Sequence, residues 1–384
     1  MNEKIWLSLA HLSGNEMKYI QEAFDTNWVT SAGKNIDEFE KQLESFLSDD
    51  AGNETNVFVT ALSSGTAALH LGLLLLGVGP GDEVLCQSFT YAASANPIYY
   101  VGATPVFVDS EPDTWNMSPE HLRRAIIDRI AKGKKPKAII PVDQYGMPVK
   151  MDEINAIAQE YEIPVLEDAA EALGSTYKKK ACGSLGDMGV LSFNGNKIIT
   201  TSGGGALVSR NKQLVKNALH LSTQARDVAP HYQHSHIGYN YRMSNIIAGI
   251  GRGQMEVLEK RIEQRRANNI YYRQYLSNVP GLTFHSELSS DFFSNFWLTA
   301  ILINPEKSAG ITREDIRLHL ESCNIEARPV WKPMHQQPVF ADCPYYGEGI
   351  SDRLFEQGLC LPSSSILKEN DLQRVVKGIL DLYK

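Results

Sequence analysis

Between residues 57 and 209 the chain alternates short, β-branched apolar runs with stretches of helical spacing. VFVTAL (57–62) is followed by a helix from Gly65, DEVLC (82–86) by a helical stretch near 92–101, and TPVFVD (104–109) by a helix opening at Ser118-Pro119. KAIIPV (137–142) leads to a helix near 152–161, and IPVLEDA (163–169), MGVLSF (188–193) and GGALVS (204–209) read as further strands. Strands that are apolar along nearly their whole length, separated by helices, predict a sheet covered on both faces. The last two strands are joined by only about ten residues, a link short enough for antiparallel pairing. A helical pattern runs from 245 to 276, and its charged segment EVLEKRIEQRRANN reads as a solvated face. Beyond Pro280 come strands such as FWLTAILIN (296–304), a helix over 312–322 and a proline-rich stretch over 328–344. The pattern predicts an α/β chain with a large domain over 1–250 and a smaller α+β domain over 251–384.

Composition narrows the class. At 384 residues, 43% hydrophobic and 21% charged, the chain can bury one large core and a second, smaller one. A net charge of −8 gives no global basic footprint for nucleic acid. The longest apolar run, near 69–78, is broken by glycine and too short to span a bilayer, and MNEKIWLSLAHLSGNE has no charged-then-apolar leader. Cys86, Cys182, Cys323, Cys343 and Cys360 form no CxxC pair, which disfavours a disulfide framework or a zinc site. The expectation is a soluble, cytoplasmic protein with no membrane, metal or nucleic-acid partner.

Three short segments carry candidate chemistry. Ser63-Ser64-Gly65-Thr66 lies between a predicted strand and a predicted helix, where unpaired N–H groups and the helix dipole attract phosphate. Taken alone, it is more often a plain helix cap. Glu167-Asp168 ends a buried strand, the end at which ligands gather in α/β sheets. An ionised Asp168 there could hold a pyridine nitrogen protonated, or simply cap a helix. Glu171, three residues on, projects near Asp168 if the chain turns helical. Lys197 follows the strand ending in Ser192-Phe193 and precedes TTSGGG. A lysine held in a cleft can form a Schiff base, although most lysines are solvated and the glycines could be a flexible turn. The order of the three, phosphate cup, acid, then lysine, is the layout that a pyridoxal 5′-phosphate (PLP) enzyme needs.

At these residues the chain resembles the DegT/DnrJ/EryC1/StrS aminotransferases, PLP enzymes that aminate nucleotide-linked keto sugars. The resemblance runs through NWVTSAGKNIDEFE (27–40), ALSSGTAALHLGL (61–73), GPGDEVLCQSFTYAASANPI (79–98), GATPVFVD (102–109) and VDQYGMPVKMDEI (142–154). It continues through IPVLEDAAEALGS (163–175), GDMGVLSFNGNKIITTSGGGALVS (186–209), IGYNYRMSNIIAGIG (237–251) and ARPVWKPMHQQP (327–338). It implies an aspartate-aminotransferase-like (fold type I) large domain with a mixed, mostly parallel sheet. It also implies site roles. Lys197 would bind PLP and shuttle the proton, Asp168 would pair with the ring nitrogen, and Glu171 and Tyr91 would lie against the ring. Gly65, Thr66 and Ser192 would bind the phosphate. Asn240 would reach the phosphate held by a partner subunit, which implies a homodimer with shared active sites.

One departure is Ser202-Gly203-Gly204-Gly205, where many relatives have Gly-Glu-Gly-Gly; no catalytic role rests on that glutamate. Relatives that dehydrate sugars have histidine in place of the lysine, so Lys197 favours transamination. The implied reaction takes an amino group from glutamate to a UDP- or GDP-linked 4-keto-6-deoxy sugar. A 3-keto-sugar aminotransferase is the alternative within the family, and a non-catalytic PLP-binding regulator lies outside it. A nucleotide-binding module with a phosphate cup at Gly65 and no PLP is a further alternative, but the chain has no GxGxxG fingerprint after the first strand. Arg242, Arg328, Lys332 and His335 are candidates for a diphosphate, or surface and interface ion pairs.

Overall fold

The computed structural model describes residues 3–48 and 56–384; Met1 and Asn2, the start of the leader reading, lie outside them. Helices α1 (Glu16–Asp25) and α2 (Lys34–Leu47) precede the first strand, β1 (Phe58–Leu62). Then come α3 (Gly65–Leu75), β2 (Glu83–Gln87), α4 (Asn96–Tyr100), β3 (Thr104–Val108), α5 (Pro119–Ala131), β4 (Ala138–Ile140), α6 (Met151–Glu160) and β5 (Leu166–Asp168). A short ribbon, β6 (Thr176–Tyr177) and β7 (Lys180–Ala181), leads to β8 (Met188–Ser192), β9 (Gly205–Ser209) and α7 (Lys212–Ser222).

Apart from the β6–β7 ribbon, which belongs to a separate small sheet, these strands, with one late addition, make the main sheet. One half has the order β1-β9-β8-β5. The other contains β3-β2-β4, and parallel bridges Ile139–Val165 and Val142–Asp168 join β4 to β5. All pairings are parallel except those of β9, which runs against β8 and β1, as its short link allowed. Helix α3 is buried along most of its length, and Gly72 is the reason it can lie so close to the sheet: a Cβ there would meet Leu166 at 2.9 Å. Ser118 caps α5 by accepting from the His121 N–H, with Pro119 at the first helical position.

The patterned stretch over 245–276 is not one helix. It is α8 (Asn245–Met255), packed on α1 and α2, and α9 (Leu258–Leu276). The break falls at Glu256-Val257, where Val257 leaves helical geometry (φ −123°). There the Glu256 carboxylate accepts from Asn15 and the Tyr19 hydroxyl. The solvated-face reading holds for one side of α9 only. Glu259, Lys260 and Glu263 are exposed, whereas Arg261, Arg265, Asn268 and Asn269 are buried, because α9 is wedged between the main sheet and the C-terminal layer.

That layer contains β10 (Leu282–Phe284), β11 (Phe292–Phe293), β12 (Thr299–Ile303), α10 (Arg313–Ser322), β13 (Arg328–Pro329), β14 (Tyr345–Tyr346), α11 (Ile350–Gln357), β15 (Gly358–Leu361) and α12 (Glu369–Leu380). Its antiparallel sheet has the order β10-β12-β15-β13, and α10 carries a Thr312/Asp315 capping box. Three segments stitch the layers together. Ile5 bridges to Ile325 and packs into the C-terminal core, β14 pairs in parallel with β3 at the edge of the main sheet, and β11 pairs antiparallel with β6. Among the described residues, no helix is long and apolar enough to cross a membrane.

Candidate active site

The parallel strands β1, β2, β4, β5 and β8 deliver their carboxyl ends to one side of the sheet, and β9 begins there. Residues from those ends line a cavity of about 480 Å³. Gly65, Thr66, Tyr91, Asp168, Glu171, Ser192 and Lys197 all line it.

The cup comes first. β1 ends at Leu62, and Ser64 caps α3 by accepting from the Ala67 N–H at 3.0 Å. The N–H groups of the first helical turn have no partner within the helix and carry its positive dipole end. Two glycines make the approach possible. A Cβ on Gly65 would stand 3.2 Å from the Ser192 Cβ, and a Cβ on Gly205 would stand 2.3 Å from the Gly65 nitrogen. The Thr/Ser/Gly segment before β9 is accordingly a closed loop, with Phe193 N–H donating to Gly204 C=O and Thr201 N–H to Phe193 C=O.

Asp168 is buried at the end of β5, where its Oδ2 accepts from Ser94 Oγ (2.7 Å) and its Oδ1 from the Ala170 N–H (3.1 Å). Burial pushes its pKa up; the two hydrogen bonds and the charge of Lys197 oppose this. Glu171 reaches the cavity without a helix: residues 169–175 pass through turns closed by Ala172 N–H to Ala169 C=O and Ser175 N–H to Ala172 C=O. Its Oε2 accepts from the Tyr145 N–H at 2.8 Å, and its Oε1 lies 3.4 Å from Lys197 Nζ. Burial raises Glu171 as well, opposed first by the Lys197 charge. Tyr145 holds a positive φ of 55° while buried, a cost accepted where the backbone must aim its N–H at Glu171.

Lys197 sits on the loop after β8, nearly enclosed, with Nζ over the Trp297 ring at 4.2 Å from its centroid. Tyr91 is half exposed at the mouth, its ring 5.2 Å from that of Trp331. Asn240 stands apart from the others. It is exposed, bridges to Thr223, and does not line the cavity of its own chain.

Four groups that sequence reasoning did not single out complete the site. Ser94 lies inside the SFTYAAS block and could have been sought as the donor a buried aspartate needs. Tyr145, Trp297 and Trp331 stack in sequence, with Tyr145 6.3 Å from Trp297 and 6.1 Å from Trp331. No local signal marks them, since the tryptophans arrive from the C-terminal layer. The four diphosphate candidates are not grouped at the cavity. Arg242 pairs with Glu40, Arg328 with Glu326 and His335 with Asp352, while Lys332 is exposed.

Behind Asp168 lies a buried trio, Asp143, Glu167 and Cys182. Burial raises the Glu167 pKa, but its three N–H donors, from Gly183, Leu185 and Gly186, oppose this, so it is the member of the pair that ionises first. Asp143 accepts only the Val149 N–H, and its Oδ2 has no donor. Burial, then the Glu167 charge, drive the Asp143 pKa well up, so Asp143 carries the proton that joins the pair. A raised acid contributes stability that is complete below its unfolded pKa and is lost as pH rises through the folded value. Asp143→Asn keeps a donor toward Glu167 and has no proton to lose. The expected result in thermal melts is no change near pH 4 and a melting temperature roughly 2–4 °C higher at pH 8.

An amine, a buried carboxylate and a helix N-terminus facing one cavity match the three ends of PLP: its aldehyde, its ring nitrogen and its phosphate. Fold and site thus define a PLP-dependent enzyme of fold type I. Residues 11–380 match the model of the DegT/DnrJ/EryC1/StrS aminotransferase family, and the chain belongs to that family. It is 47% identical over its whole length, and 97% of the relative's, to EpsN of Bacillus subtilis (strain 168), named provisionally as a pyridoxal phosphate-dependent aminotransferase. It is 38% identical to the GDP-perosamine synthase of Escherichia coli O157:H7, over 97% of this chain and 96% of the other. Among solved structures, a DegT DnrJ EryC1 StrS aminotransferase from Brucella abortus superposes with a TM-score of 0.88 at 29% identity, covering 96% and 95% of the two chains. The chain is an aminotransferase, and PLP is its cofactor.

Proposed function

We propose that this enzyme transfers an amino group from glutamate to a nucleoside-diphosphate-linked 4-keto-6-deoxy sugar, giving a 4-amino-4,6-dideoxy sugar. The observation that carries the reading is the convergence of Lys197, Asp168 and the Gly65-Thr66 cup on one cavity, in a chain so similar to GDP-perosamine synthases. That likeness favours a GDP-linked acceptor over a UDP-linked one.

Bound PLP supplies an electron sink and carries the amino group between the two substrates. The residues divide the remaining work. Lys197 would bond the cofactor and, when free, its Nζ would take up and return the proton that moves in the transfer. Asp168, whose charged form Ser94, the Ala170 N–H and the Lys197 charge favour against its burial, would pair with the ring nitrogen and keep it protonated. Glu171 and Tyr91 flank the ring. Gly65, Thr66 and Ser192 hold the phosphate. In this reading residues 1–250 form the PLP-binding domain and 251–384 the small domain. The five cysteines are free thiols, which suits a cytoplasmic enzyme.

The assay that tests the reading is a panel of GDP-, UDP- and dTDP-linked 3-keto and 4-keto sugars with glutamate, following 2-oxoglutarate release and the aminated sugar. Turnover confined to 3-keto sugars would overturn the 4-keto assignment. Turnover of none, with no spectral change on adding glutamate, would favour a regulator.

The working unit in this reading is a homodimer, Asn240 reaching the partner's phosphate cup. Exposed Val228, Tyr232 and Ile237 beside Asn240 support an interface there. Asn240→Ala is expected to weaken PLP retention by about tenfold, one hydrogen bond to a charged group, without loss of the dimer. Unchanged retention in equilibrium dialysis would remove the assignment.

A further inference from the structure

The ring of Trp297 meets the amine of Lys197, and a frame of hydrogen bonds holds that ring in place. Its Nε1–H donates to the Asn196 C=O at 2.8 Å, the residue before the lysine. Its own N–H donates to Asn295 Oδ1 at 2.8 Å, and Asn295 Nδ2 donates back to the Glu171 and Leu173 carbonyls, each at 3.0 Å. Its C=O accepts from Arg265 Nη1, while Arg265 Nη2 donates to Ser8 Oγ at 3.1 Å, and Ser8 Oγ donates at 2.8 Å to the same Asn196 C=O. Arg265 is fully buried, and its hydrogen bonds run to neutral oxygens, Trp297 C=O, Ser363 C=O, Ser8 Oγ and Lys197 C=O; an arginine is a costly way to fix a merely structural tryptophan. Phe296, just before Trp297, is buried with a positive φ of 45°, so the backbone is strained where it presents the indole.

The result is a seat for a cation. Lys197 Nζ lies 4.2 Å from the Trp297 ring centroid and 3.4 Å from Glu171 Oε1. An ammonium over an indole face is attracted by the ring quadrupole, more strongly where water is excluded. Resting on the reading of Lys197 as the cofactor lysine, we propose that Trp297 is a positioning residue of the transamination: its ring face and Glu171 hold the Lys197 amine whenever it is not bonded to the cofactor, and most strongly once that amine has taken up a proton. The indole N–H meanwhile fixes the loop that carries it. The lysine thereby keeps one address through both halves of the reaction.

The test separates the ring face from the N–H. In cofactor-free enzyme at one fixed pH, trinitrobenzenesulfonate labelling of Lys197 is followed by peptide mass spectrometry, with surface lysines as internal standards. Tetrafluorotryptophan at position 297 keeps the shape and the N–H and withdraws the ring's negative face. Lys197 labelling should then rise about 3- to 30-fold, the range from an exposed to a desolvated cation–π contact. Trp297→Phe, which keeps a face and loses the N–H, should change it less than threefold. Unchanged labelling with the fluorinated ring would overturn the proposal, whatever the Phe variant does. Borohydride reduction of the loaded enzyme and mapping of the modified peptide test the prior reading separately. Cofactor found elsewhere than Lys197 defeats that reading, whereas cofactor on Lys197 with unchanged labelling defeats only the role of Trp297.

Discussion

Lys197→Ala is expected to fold normally and to lose transamination by on the order of 10⁴-fold, the upper end of what a positioned acid–base group supplies. The visible band of the lysine-bound cofactor should vanish, and borohydride should no longer fix PLP to the protein. Folding should survive because the Lys197 side chain is not part of the core. The loop is held through the backbone, by the Lys197 N–H to Asn194 C=O and by Trp297 and Ser8 on the Asn196 carbonyl. Single-turnover measurement with glutamate in the presence of added PLP is the check. A decrease of less than tenfold would mean that another group moves the proton.

The second large effect belongs to Asp168→Asn. The amide has nearly the same shape; its oxygen can still accept from the Ala170 N–H, and its Nδ2 can donate to Ser94 Oγ once that hydroxyl turns its proton away, so the cavity should persist. It has no charge with which to hold a pyridine nitrogen protonated. Removing one partner of a buried ion pair costs about 3–5 kcal/mol, which as a barrier is roughly 10²- to 10⁴-fold in rate. The loss should appear in both half-reactions, because both draw on the same ring. PLP should still bind, through the cup and Lys197, with an altered absorption maximum. An unchanged rate in rapid-mixing experiments would show that Asp168 is only a cap for the turn that follows it.

These two residues were legible in the sequence for a reason that does not extend to their neighbours. Asp168 and Lys197 each follow a short apolar run, and in a parallel sheet the ends of such runs share one side, so order along the chain foretold proximity. Gly65 and Thr66 were legible in the same way. Glu171 was expected to arrive by a helical turn and arrives by successive tight turns, since residues 169–175 satisfy their backbone through local bonds and the Asn295 amide. The break between α8 and α9 left no glycine or proline in the sequence. It comes from packing the two halves on different layers. Arg261 and Arg265 looked solvated because a charged stretch gives no sign that carbonyls from 100 residues away will line its surroundings. Asn240 was marked only by resemblance, and within its own chain it is an exposed residue beside a short bridge. Ser94, Trp297 and Trp331 enter through tertiary packing, which no local pattern encodes.

The three stitches between the layers have a mechanical consequence. Ile5 is rooted in the C-terminal core, β14 is zipped onto the rim of the main sheet, and β11 onto the β6 ribbon. A jaw that swung open would have to tear out the first anchor or unzip the other two. Widening the cavity by that route costs backbone hydrogen bonds, so the mouth beside half-exposed Tyr91 is the doorway that the braced frame leaves standing open.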